Sequence, residues 1–156
     1  MSLFTKVSHT GKAATVGGQG CVHARASKQK LNTKSSTEGE LVGVWEGLPE
    51  LLWTRNIVKA QGYQHEPITL AQDNQSTIAL IKKGRSTSQR TRHIALRYFF
   101  VKDYVDKEIV RVVYVPTDEM VADILTKPVH GTPVFRKLRK MLLGRDYLSY
   151  LLHQFL

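Results

Sequence analysis

The chain has 156 residues, with 23 Lys plus Arg against 13 Asp plus Glu and a formal net charge of +10. That length suits one domain with a true hydrophobic core, and a single cysteine, Cys21, excludes an internal disulfide. The basic excess favours a polyanionic partner, because cations that neutralise phosphates release condensed counterions; a solvated basic surface is the plain alternative. Residues 1–9 lack the apolar core of a signal peptide and no run reaches transmembrane length, so an intracellular protein is expected.

In chain order, Lys12 to Val16 and Cys21 to Ser27 read as two short strands joined by the glycine-rich turn Gly17-Gly18-Gln19-Gly20. A helix is predicted from Ser36 to Ala60, because Leu41, Val44, Trp45, Leu48, Leu51, Leu52 and Val58 follow helical spacing. Pro49 inside it should kink or split it. Pro67 to Gln72 reads as a buried strand, followed by a short helix from Asn74 that stops at Gly84. Arg85 to Arg92 is a basic, Ser/Thr-rich loop. Ile94 to Lys107 reads as a helix carrying Tyr98, Phe99, Phe100 and Tyr104, and Ile109 to Val115 as a β-branched strand ended by Pro116. Thr117 is placed to N-cap a further helix, with Asp118 and Glu119 in its first turn. Thr132-Pro133 opens another helix that ends at Gly144. Arg145 to Leu156 has an amphipathic pattern in Tyr147, Leu148, Leu151, Leu152 and Phe155. The whole is a mixed α/β domain whose later strands alternate with helices.

Acids are scarce, so those beside apolar runs are informative. Asp73 follows the apolar strand Leu70-Ala71-Gln72 and precedes a helix. Open α/β sheets bind ligands beyond the carboxyl ends of their strands, and a carboxylate there suits Mg²⁺. The plainer role is an N-cap for the helix at Asn74. In Ser35-Ser36-Thr37-Glu38-Gly39-Glu40-Leu41, two capping-box spacings overlap, Ser35 with Glu38 and Thr37 with Glu40. At helical pitch, Glu40 lies roughly 70° and Glu38 roughly 90° from the centre of the apolar face, which favours Glu40 as the inward carboxylate. Asp123 falls within the apolar stretch Val121-Ala122-Asp123-Ile124-Leu125, read as helical, where Asp has poor propensity and no capping role.

The order and surroundings of these three acids resemble the ribonuclease H domain of Ty1/copia-type retrotransposon polyproteins. The resemblance covers roughly residues 8 to 144 and rests on Ser-Ser-Thr-Glu-Gly-Glu-Leu, Asp73-Asn74-Gln75-Ser76, and Tyr114 to Pro128. It implies a ribonuclease H-like mixed sheet over residues 1–130 with a helical extension over 131–156. It also implies Glu40, Asp73 and Asp123 as catalytic and metal-binding residues, with two Mg²⁺ or Mn²⁺ ions hydrolysing the RNA of RNA–DNA hybrids. The family uses four carboxylates, the first on its first strand, and no Asp precedes Asp73 here. The expectation is therefore a domain lacking its first strand, with an unfilled position in the middle of the sheet, marginal stability and impaired cleavage; Leu3 to Val7, with Phe4 and Val7 apolar, is the one segment that could slide into the gap, and it carries no carboxylate. A reverse transcriptase domain would precede it in the parent polyprotein. A non-catalytic nucleic-acid-binding remnant or an inert fragment is the alternative.

The remaining candidates are simpler. Lys82, Lys83, Arg85, Arg90, Arg92 and Arg97 form a basic cluster suited to a nucleic-acid backbone. His93 resembles a family motif and is given no catalytic role. The histidines and Cys21 show no zinc-ligand spacing. Phe135 to Lys140 reads as an amphipathic helix with a charged outer face.

Overall fold

The computed structural model of the chain describes residues 2–5, 9–17, 20–29, 35–63, 66–84, 95–129 and 131–144. Five strands form one sheet: β1 (Ser2–Thr5), β2 (His9–Thr15), β3 (Cys21–Lys28), β4 (Ile68–Gln72) and β5 (Val110–Tyr114). Their order is β3-β2-β1-β4-β5. The first three strands pair antiparallel, and β1, β4 and β5 run parallel.

The expected gap in the middle of the sheet is corrected by this topology. Ser2–Thr5 occupies the central position, with Leu3 opposite both Ala14 of β2 and Leu70 of β4. A four-residue strand is enough to supply backbone partners to both neighbours there. The position of a first strand is filled, although no aspartate comes with it.

Helix α1 (Ser36–Ala60) has the predicted bounds and runs unbroken through Pro49. Its buried stripe continues on both sides of the proline, through Val44, Leu48 and Leu51, so packing holds the helix across the missing N–H. Helix α2 (Gln75–Lys83) is N-capped by Asn74 and ends at Gly84, whose φ of 68° is the left-handed conformation glycine tolerates. Helix α3 (Ala95–Asp106) buries Tyr98 and Val101, and Phe100 meets Tyr104 edge-on at 5.0 Å. Helix α4 (Thr132–Leu143) is capped by Gly131 rather than by Thr132, and it stops at Gly144 with φ 81°.

The helix expected after Thr117 is replaced by two 3₁₀ turns, Thr117–Glu119 and Val121–Leu125. Met120 between them is extended (φ −75°, ψ 95°) and fully buried, as is Ala122. Burying these side chains against the sheet breaks the segment into short turns that follow its surface. Thr117 is not an N-cap; the 3₁₀ turn has no side-chain cap.

Period-two alternation along the strands divides the core in two. Ala14, Ile68, Leu70 and Val110 face α1, α2 and α3. Ala13, Ala71 and Val115 face the 3₁₀ segment and α4 through Met120, Val121, Leu138 and Met141. Gly11 brings that second layer close to the sheet: a Cβ there would lie 2.6 Å from the Ala122 carbonyl oxygen. Leu138 and Met141 of α4 belong to the second core cluster. Residues 145–156, with their amphipathic pattern, lie outside the described residues.

Candidate acidic site at the carboxyl end of the central strands

Gln72 ends β4 and is completely buried. A buried amide needs partners for both of its ends, and Gln72 finds them in the turn that follows. Its Oε1 accepts the backbone N–H of Asp73 at 2.9 Å and of Asn74 at 3.2 Å. Two N–H donors fix which end of the amide is oxygen. The Nε2 therefore turns the other way and donates to Oε2 of Glu40 at 3.4 Å.

This arrangement separates the two glutamates. Ser35 is the N-cap of α1, its hydroxyl accepting the Glu38 backbone N–H at 3.2 Å. Of the two capping-box spacings, the one from Ser35 is therefore used. Both glutamates are buried. The Glu38 charge is felt on α3, where burial first and Glu38 second push the Tyr98 phenol upward. Glu40 faces the end of β4 through Gln72 and stands beside the turn that carries Asp73.

The capping role considered for Asp73 belongs to its neighbour. The Asn74 side chain accepts the Thr77 backbone N–H at 3.2 Å. The Asp73 carboxylate is left to other work: the Thr117 hydroxyl donates to its Oδ2 at 3.3 Å. This bond links the turn after β4 to the first 3₁₀ turn after β5, two parallel strands that end side by side.

Asp123 lies in the second 3₁₀ turn with its side chain 2% exposed. Its Oδ2 meets Nζ of Lys127 at 2.5 Å, and that lysine is 40% exposed at the surface. The backbone reinforces the pair. The N–H groups of Thr126 and Lys127 both donate to the Asp123 carbonyl oxygen at 3.1 Å, closing the turn that returns Lys127 over its partner.

Glu40 and Asp73 thus flank Gln72, while Asp123 is held with an internal cation. Among the described residues, no group of three or more His, Cys, Asp or Glu side chains could hold a metal ion.

The basic candidates are divided. Lys82 and Lys83 are exposed in the last turn of α2. The Arg97 guanidinium lies 4.7 Å over the Trp45 ring, a cation–π contact that joins α3 to α1 rather than facing outward with the others. Arg85, Arg90, Arg92 and His93 lie outside the described residues. A groove lies elsewhere, between α1 and the β2–β3 hairpin, lined by Val22, His23, Glu50 and Trp53 among others and by none of the three carboxylates.

Sequence reasoning missed Gln72, Thr117 and Lys127. Lys127 was legible as an i+4 partner of Asp123. Gln72, polar at the end of an otherwise buried strand, called for a hydrogen-bond partner in the core.

The fold and these contacts define a class: a mixed α/β domain, covered on both faces, with acidic residues at the carboxyl ends of its central parallel strands. Sequence comparison specifies it further. The chain is 33% identical over 127 residues to the retrovirus-related Pol polyprotein from transposon TNT 1-94 of Nicotiana tabacum, a match covering 81% of this chain and 9% of that protein. It is 37% identical over 106 residues to the retrovirus-related Pol polyprotein from transposon RE2 of Arabidopsis thaliana, covering 67% of this chain and 7% of the relative. It is 30% identical over 110 residues to the transposon Ty1-NL2 Gag-Pol polyprotein of Saccharomyces cerevisiae, covering 69% and 6%. The chain is homologous to one segment of Ty1/copia-type retrotransposon Pol polyproteins, and it spans less than a tenth of the length of these curated relatives. No protein-family model matches it, and no solved structure matches it. Among the described residues, no helix is long and apolar enough to cross a membrane.

Proposed function

We propose that the chain is the ribonuclease H-type segment of a copia-type Pol polyprotein and that it holds RNA–DNA hybrid through its basic surface with little or no hydrolysis of its own. The observation that carries this reading is the union of strand order and acid position. A three-stranded antiparallel unit continues into parallel β4 and β5, and at the carboxyl end of β4 Gln72 bonds the Glu40 carboxylate and the backbone N–H of Asp73. Weak hydrolysis follows from the pairing of one donor. Two-metal cleavage stabilises both the attacking water and the leaving oxygen; Mg²⁺ or Mn²⁺ would draw on Glu40, Asp73 and Asp123, and Asp123 is paired with Lys127. In the parent polyprotein, a reverse transcriptase domain would deliver the hybrid.

The test measures binding and cleavage of a labelled RNA–DNA hybrid in Mg²⁺ or Mn²⁺. The expected result is binding without sequence preference that falls steeply with salt, and no cleavage. Robust cleavage that survives repurification and disappears in Asp73→Asn would overturn the impaired site. No binding at low salt would overturn the assignment of partner.

A further inference from the structure

We infer that the groove between α1 and the β2–β3 hairpin is the docking site of the chain's own segment 145–156, which closes over it with Leu148, Leu151, Leu152 and Phe155. The groove has a volume of about 570 Å³, and Ala14, Gly47 and Leu51 are among the residues that line it. Trp53 of α1 and Val22 of β3 line it from opposite walls and are 68% and 61% exposed. Apolar exposure that is continuous across two elements marks a docking surface, whereas single exposed apolar side chains do not. Val22 reaches the groove through an irregularity in the strand. The β2–β3 ladder passes from Thr15 opposite Cys21 to Ala14 opposite His23, so Val22 is the extra residue of a bulge, a device that re-aims a side chain. Nε2 of His23 lies 3.2 Å from Oε2 of Glu50, a contact that ties the two walls together.

The point where the chain leaves α4 selects the occupant. A Cβ on Gly20 would lie 2.9 Å from the Gly144 nitrogen, so α4 ends against the β2–β3 turn, two residues before Val22. Among the described residues β3 is the edge strand, and no further strand stands between that point and the groove on the α1 face. Crossing from one face of a sheet to the other takes about 10 Å, roughly three residues of extended chain. Arg145, Asp146 and Tyr147 supply that crossing, and the two charged residues among them suit its solvent-facing path. The apolar stripe begins at the next residue. Leu148, Leu151, Leu152 and Phe155 have the i, i+3, i+4, i+7 spacing that puts them on one side of a helix. A segment joined by so short a tether meets its site at an effective concentration on the order of millimolar. A second copy of the chain or a separate apolar partner lacks that advantage. The inference stands apart from the nucleic-acid reading above.

The test measures acrylamide quenching of tryptophan fluorescence in the full chain, with circular dichroism and sedimentation on every variant. Leu148→Asp/Leu152→Asp breaks the stripe, and Ser149→Asp/His153→Asp adds equal charge off it. Val22→Lys disturbs the groove from its other wall at an exposed position, so the inference is still tested should the stripe variant fold poorly. The expected result is a quench steeper by roughly twofold in the stripe variant and in Val22→Lys, because uncovering an aromatic ring restores most of its contact with solvent. The off-stripe control should match the parent. The difference should vanish in a Trp53→Phe background, which assigns it to Trp53 rather than Trp45. A parent as strongly quenched as the stripe variant would mean that nothing covers the groove, and would overturn the inference. Shielding that grows with protein concentration would assign the groove to a second copy, and shielding of the monomer that survives the stripe variant would assign it to another part of the chain; either overturns the inference.

Discussion

The buried amide of Gln72 donates to the Glu40 carboxylate at 3.4 Å while its oxygen accepts the backbone N–H groups of Asp73 and Asn74. One side chain therefore ties the first turns of α1 to the turn that carries the second acid. Because its two ends are used by different elements, its loss has consequences at both.

Replacing Gln72 with Leu removes an acceptor from two turn N–H groups and a donor from a buried carboxylate. Leaving buried polar groups without a partner costs about 1–3 kcal/mol. Urea unfolding of Gln72→Leu should show a loss of that size. A stability equal to that of the parent would mean that the amide contacts contribute nothing.

Asn74, and not Asp73, caps α2. Asn74→Ala should therefore cost about 1 kcal/mol, the usual worth of an N-cap. Asp73→Ala should cost less, since its contact with the Thr117 hydroxyl at 3.3 Å is long and caps no helix. Paired thermal melts decide between them, and a larger loss in Asp73→Ala would return the capping role to Asp73.

Lys127→Met should destabilise the domain by about 1–3 kcal/mol, because Asp123 is almost wholly buried and loses its cation. The figure is kept below that for a fully buried pair because the lysine is half-exposed. Adding Asp123→Leu to Lys127→Met should recover much of the loss, since position 123 then carries no buried charge. A double variant as unstable as the single one would rule out charge burial as the cause.

Burial raises the Cys21 thiol from 9.0 to about 11. The thiol should therefore react slowly with a disulfide reagent at pH 8, where the thiolate is the nucleophile, and its titration should be midpoint near 11 in the folded chain. The stability it contributes is fully present below 9.0, where both folded and unfolded thiols are protonated. It is lost as pH rises towards 11, because the unfolded thiol ionises first. Rapid labelling at pH 8 by folded protein would contradict this environment.

Local chemistry was enough to place much of the chain. The bounds of α1 follow from Ser35 and the apolar stripe that begins at Leu41, and the stops of α2 and α4 follow from Gly84 and Gly144, both left-handed. Such signals act within one or two turns and can be read without knowing the neighbours. Tertiary structure decided what depends on distant partners. The apolar residues near Leu3 offered a segment for the central gap, but its place there is defined by the pairing of Ser2 with Thr15 on one side and Thr69 on the other. The 3₁₀ turns around Met120 replace a helix because burial on the sheet outweighs helical hydrogen bonding there. Arg97 joins Trp45 because α3 packs on α1, a contact spanning more than fifty residues of sequence. The amino-acid order thus determined the elements and the acids they carry, while packing determined which of those acids share a neighbour.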